Sequence, residues 1–134
     1  MKDLYQRSQQ VEINWKAIPD KVMLRADKTQ MNRLFTNLFQ NAVEACDEKE
    51  KCVINVNEFQ ENGSIIVSVK DNGEGIPVSM QSKIFVPNFT TKSSGTGLGL
   101  AMCKSIVEQA HGKIWFETRL GEGTTFHIEL PLAN

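Results

Sequence analysis

Two amides and a carboxylate, Asn37, Asn41 and Glu44, recur at intervals of four and three residues. At about 100° per residue they fall on one strip of a helix. The strip borders the apolar positions rather than opposing them, so it lies where a buried face meets a cleft. An asparagine oxygen is a hard, neutral ligand of the kind Mg²⁺ accepts. By itself such a strip fits a solvated helix face better than a ligand set.

Asp71-Asn72-Gly73-Glu74-Gly75-Ile76 is the second candidate. An aspartate at a strand end can accept a hydrogen bond from the exocyclic amine of adenine, whereas the carbonyl of guanine would repel it. Gly73 and Gly75 remove side chains where a flat base approaches the backbone. An ordinary turn explains the same residues equally well. Gly95-Thr96-Gly97-Leu98-Gly99-Leu100 leads into a helix, where glycine amides can reach phosphate oxygens. It has neither the spacing of a dinucleotide fingerprint nor the Gly-Lys-Ser/Thr ending of a P-loop. Lys92, just upstream, is a charge partner for phosphate or a solvated loop lysine. Gly121-Glu122-Gly123-Thr124-Thr125-Phe126 reads alone as a tight hairpin. Five such pieces in this order are improbable as independent accidents.

The elements that must position them follow from periodicity. Val11 to Trp15 alternates as a strand, and Val22 to Arg25 suggests another after the Pro19-Asp20 turn. Asp27 and Gln30 resemble a capping box, which starts a helix near Lys28. Met31, Leu34, Phe35, Leu38, Ala42 and Ala45 form its apolar stripe. Lys51 to Phe59 and Ser64 to Lys70 flank Asn62-Gly63, a hairpin turn. Ile65, Val67 and Val69 should face one side, with Ile66 and Ser68 on the other. Residues 85–97 are rich in Thr, Ser, Gly and Lys and read as a mobile lid. A second helix fits Leu98 to Ala110, with Cys103, Ile106, Val107 and Ala110 inward and His111-Gly112 as its stop. Lys113 to Thr118 and Thr124 to Leu130 close the chain as a hairpin. The fold class is α+β, a mixed sheet with helices on one face.

The 134 residues suit one domain, with 1–10 read as a linker remnant and 11–134 as the domain. A net charge of −1 gives no electrostatic reason to expect nucleic acid or an anionic membrane as partner. No run is long enough to cross a bilayer, so a membrane segment of any parent protein is expected outside this chain. Cys46, Cys52 and Cys103 are scattered and odd in number, which argues against zinc. A reduced, cytoplasmic thiol setting is expected.

The ordered pieces resemble the GHKL superfamily of gyrase, Hsp90, histidine kinases and MutL, and within it the histidine kinase catalytic domain. The likeness runs from about Asp27 to Pro131. Asn37 to Ala42 looks like the N box, and Asp71 to Gly75 like the first glycine box. Phe85 to Phe89 looks like the F box, and Gly95 to Gly99 and Gly121 to Thr124 like the later glycine boxes. The resemblance implies a Bergerat-type α/β sandwich holding MgATP. By it Asn41 binds Mg²⁺, with Asn37 as a second metal-side amide, and Asp71 reads adenine within Gly73, Gly75 and Ile76. Lys92 meets the phosphates, Gly95, Thr96, Gly97, Leu98 and Gly99 close over them, and Thr124 or Thr125 supports the base. Asn37, Asn41 and Lys92 carry the catalysis.

Hydrolytic relatives place a general-base glutamate where this chain has Asn37, and an amide cannot serve as that base near neutral pH. Efficient hydrolysis is therefore not expected, whereas transfer to a positioned nucleophile depends on alignment and charge. Many histidine kinases have Lys or Arg where this chain has Glu44, which leaves more of the phosphate contact to Lys92. Asn41 to Ala45 together with Phe89-Thr90-Thr91-Lys92 resembles the nitrogen-regulation class. His111 and His127 are the histidines present, read as a helix-end cap and a sheet residue. The implied acceptor histidine then sits on a dimerisation domain of the parent kinase, with a response regulator downstream. The chain is expected to be an excised catalytic fragment that does not autophosphorylate alone. A nucleotide-sensing module without transfer, and a serine kinase of the anti-sigma type, are the competing readings.

Overall fold

Hydrophobic periodicity sets the architecture, helical in the helices and alternating in the strands. The computed structural model describes residues 10–16, 28–46, 51–87 and 99–132. Strand β1 (Gln10–Lys16) is followed by helix α1 (Lys28–Ala45), then β2 (Lys51–Glu61) and β3 (Ser64–Asp71). A single turn α2 (Val78–Gln81) and helix α3 (Gly99–Gln109) precede β4 (Lys113–Arg119) and β5 (Gly123–Pro131). The expected strand Val22 to Arg25, the cap at Asp27 and the lid beyond Pro87 lie outside the described residues.

The strands form one sheet in the order β1-β2-β3-β5-β4. β1 pairs parallel to β2, and the other pairs are antiparallel. The parallel pair follows from the connection through α1, since a helical crossover returns the chain in the same direction. The β2–β3 hairpin is tight because Asn62 and Gly63 both take positive φ, 50° and 81°, the pair of values a type I′ turn needs.

Helices and sheet meet through period-matched faces. Leu34, Leu38 and Ala42 of α1, together with Cys103, Ile106 and Val107 of α3, are buried. They pack into one core with Ile54 and Val56 of β2, Ile65, Val67 and Val69 of β3, and Phe126, Ile128 and Leu130 of β5. The predicted α+β sandwich with helices on one face is what forms. On the other face Ser68 Oγ lies 2.7 Å from His127 Nδ1, Glu117 lies 2.7 Å from His127 Nε2, and Trp115 stacks on the imidazole. His127 is thus a sheet residue.

Helix α3 ends differently in detail from the expectation. His111, not Gly112, adopts the left-handed conformation, with φ 64°. The His111 N–H donates to the Glu108 carbonyl at 3.0 Å and the Gly112 N–H to the Val107 carbonyl at 2.8 Å, the two bonds of a Schellman cap. Gly112 is needed because a Cβ there would collide with the Glu129 carbonyl and crowd Leu130 and Val107.

The thiol expectation is corrected. Cys46 and Cys52 are joined as a disulfide, with Cα atoms 5.6 Å apart. The end of α1 and the start of β2 come side by side, a proximity that six residues of separation do not reveal. Cys103 remains a buried free thiol, its pKa pushed up to about 12 by desolvation. Among the described residues no helix is long and apolar enough to cross a membrane.

Candidate nucleotide site

Asp71 is the last residue of β3 and takes the inward side of the alternation that buries Val67 and Val69. It is 2% exposed. Its Oδ1 accepts the Gly73 N–H at 2.8 Å and the Thr124 N–H at 3.2 Å. Desolvation pushes its carboxyl pKa above the ordinary aspartate range, and the two N–H donors partly oppose that rise. Among the described residues Oδ2 makes no hydrogen bond. No fully buried side-chain oxygen or nitrogen there lacks a partner, so Oδ2 is not wholly enclosed. A carboxylate with one oxygen committed and the other unbonded has the capacity to accept a further donor.

The loop after Asp71 is clamped on both sides. The Glu74 N–H donates to the Ala45 carbonyl at 3.1 Å, and the Gly121 N–H donates to the Glu74 carbonyl at 2.8 Å. Asn72 Oδ1 accepts the Val53 N–H at 2.8 Å, and its Nδ2 donates to the Lys51 carbonyl at 3.1 Å. Ile76 N–H donates to Thr118 Oγ1 at 2.9 Å, and its carbonyl accepts Gln81 Nε2 at 3.1 Å.

These clamps supply a reason for the glycines. A Cβ on Gly73 would stand 2.5 Å from the Ala45 carbonyl oxygen, and one on Gly75 would lie 2.9 Å from Leu120 Cα. Gly75 also has φ +81°. Neighbouring protein backbone by itself already demands glycine at both positions.

On α1, Asn37, Asn41 and Glu44 are all half-buried, as a strip at the core's edge should be. Asn37 Nδ2 donates to the Arg33 carbonyl at 2.8 Å. That bond leaves Oδ1 outward, 3.5 Å from the place of a Cβ on Gly99. The first residue of α3 therefore faces the α1 strip. Glu44 accepts from Gln40 Nε2 at 3.3 Å. Phe85 lies edge-on to Phe116 and Phe126, with Lys104 5.6 Å from the centre of its ring.

The fold thus brings Asn37, Gly99 and the α1 strip together, and separately Asp71, Gly73, Gly75, Ile76 and Thr124. Thr125 is not brought in. It pairs with Lys70 and Glu117 and points to the opposite face from Thr124, so alternation leaves Thr124 as the threonine beside Asp71. Lys92, Gly95, Thr96, Gly97 and Leu98 lie outside the described residues. Asn72 and Thr118 were not singled out by sequence. Thr118 had a signal: it is a polar residue in the inward phase of Ile114 and Phe116.

Residues 26–134 match the family described as histidine kinase-, DNA gyrase B-, and HSP90-like ATPase. The chain is 35% identical over 125 residues to sensor histidine kinase ZraS of Escherichia coli, covering 93% of this chain and 26% of ZraS. It is 33% identical over 129 residues to sensor protein FixL of Bradyrhizobium diazoefficiens, covering 96% of this chain and 26% of FixL. The chain thus spans about a quarter of the length of these relatives. Among solved structures, the catalytic domain of histidine kinase ThkA superposes with TM-score 0.81 at 33% identity, over 97% of this chain and 85% of that one. The mycobacterial sensor histidine kinase MprB shares the fold, with TM-score 0.81 at 24% identity over 98% of this chain and 90% of that chain.

Proposed function

Because the chain belongs to the histidine kinase-, DNA gyrase B- and HSP90-like ATPase family, we propose that it is the MgATP-binding catalytic domain of a two-component sensor kinase. In this reading it passes the γ-phosphate of ATP to a histidine on a separate dimerisation domain of the parent protein. A response regulator then receives the phosphoryl group, and the domain works on the cytoplasmic side. The observation that carries the reading is Asp71, a buried carboxylate held by Gly73 and Thr124 with its second oxygen open.

The residues fit the nucleotide. Asp71 accepts from the adenine amine, and the clamped loop 72–76 keeps that acceptor fixed before binding. Asn41 holds Mg²⁺ and Asn37 supplies a second amide oxygen, its nitrogen being committed to Arg33. By the family resemblance, Lys92 and the glycines from Gly95 to Gly99 are assigned to the phosphates. Bound magnesium neutralises phosphate charge, and ATP supplies the transferable group. Neither Asn37 nor Asn41 can take a proton from water near neutral pH. The site therefore aligns phosphate for a nucleophile delivered from another domain and hydrolyses slowly by itself.

The test is transfer of label from γ-labelled ATP after adding a helical acceptor domain from a related kinase. Acid-labile label on histidine is expected. Tight ATP binding with no label would favour a sensing module, and acid-stable label would favour a serine kinase.

A further inference from the structure

Thr118 lies outside every box that the family resemblance supplied, yet its hydroxyl stands at the centre of the base-side network. Oγ1 accepts the Ile76 N–H at 2.9 Å, donates to the Gly123 carbonyl at 3.2 Å, and lies 2.8 Å from Thr124 Oγ1. A hydroxyl has one proton and two lone pairs. Ile76 takes one lone pair. The Gly123 carbonyl can only accept, so it takes the proton. One lone pair is left, and the contact with Thr124 must be made by the Thr124 proton. Thr124 is 4% exposed, and its backbone N–H is already bonded to Asp71 Oδ1 at 3.2 Å. With its hydroxyl proton turned toward Thr118, it offers only lone pairs elsewhere. Asp71 Oδ2 offers only lone pairs as well.

We propose that Thr118 is a specificity-determining positioning residue, which orients the Thr124 hydroxyl so that the base pocket presents acceptors alone. This rests on the nucleotide reading of the site and extends it. An exocyclic amine at purine carbon 6 finds acceptors. An oxo group there meets oxygen lone pairs on both sides, with no donor to greet it. Remove the Thr118 hydroxyl and the Thr124 proton is released to turn into the pocket, where it can donate to an oxo group.

The experiment is calorimetric titration of the wild type, Thr118→Val and Thr118→Ser with ATP and with inosine triphosphate, whose base carries an oxo group at carbon 6. Thr118→Val is expected to lower the ATP-to-inosine ratio of affinities by about fivefold or more, the worth of one hydrogen bond. Thr118→Ser keeps the hydroxyl and should keep the ratio within about twofold. A Val variant that loses affinity for both nucleotides equally, or for neither, overturns the assignment. If the Val variant does not reproduce the wild-type circular dichroism, Thr118→Ala replaces it under the same two criteria. Wild type that binds neither nucleotide would overturn the nucleotide reading itself, an outcome distinct from an unchanged ratio.

Discussion

The Asp71 carboxylate accepts the backbone N–H of Thr124 at 3.2 Å, tying the end of β3 to the start of β5 across residues far apart in the chain. The same oxygen holds Gly73. In Asp71→Asn the amide oxygen can keep both bonds, so the fold should survive. The amide nitrogen then replaces the open oxygen and points a donor at the adenine amine. ATP affinity should fall about tenfold or more, with little change in unfolding midpoint. Unchanged affinity by calorimetry would refute the adenine role.

Burial raises the Asp71 pKa above the ordinary aspartate range, which fixes two opposite pH responses. The folded apo domain holds this proton more tightly than the unfolded chain does. That contribution to stability is complete below the ordinary aspartate pKa and is lost as pH rises through the elevated folded value. Adenine recognition needs the ionised form, so ATP affinity should drop on acidification while exposed aspartates are still ionised. Asp71→Asn should remove this part of the pH profile. An identical profile in the variant would assign the titration to another group.

Asn41→Ala should weaken binding roughly tenfold in the presence of Mg²⁺, the value of one charge-assisted contact. Binding in chelator should change far less. Equal losses with and without magnesium would take Asn41 out of the metal site.

Gly123 has φ +132°, and a Cβ there would collide with the Asp71 carbonyl and lie 3.1 Å from Asn72 Cα. Gly123→Ala should cost about 2 kcal/mol or more in denaturant unfolding, and it should loosen the base pocket at once. Gly121→Ala meets open space but shares a positive φ of 79°, so its cost is conformational strain alone, about 1 kcal/mol. A smaller loss at 123 than at 121 would contradict the close approach.

Thiol titration checks the Cys46–Cys52 pairing. The native chain should show no fast-reacting thiol, because Cys103 is buried and scarcely forms thiolate. Unfolding without reductant should expose one thiol, and with reductant three. Opening the short disulfide loop should lower stability by about 2 kcal/mol. Three thiols in the unreduced, unfolded chain would show the pair to be open.

Much of the fold was legible because its signals are local. The apolar stripe of α1 repeats every three or four residues, and Asn62-Gly63 declares its own turn. The order of the motifs, Asn37 and Asn41 before Asp71 and then Gly99, marked the family and its candidate nucleotide site from residue types alone.

The tertiary structure decided what depends on register between distant segments. That Gly73 is excluded from bearing a side chain by Ala45, that Thr118 reaches both Ile76 and Thr124, and that Cys46 meets Cys52 follow from how α1, β3 and the β4–β5 hairpin dock. A residue's own neighbours in the chain set its backbone preference. Its partners across a sheet or beneath a helix exist only once the shared core has fixed those elements in place.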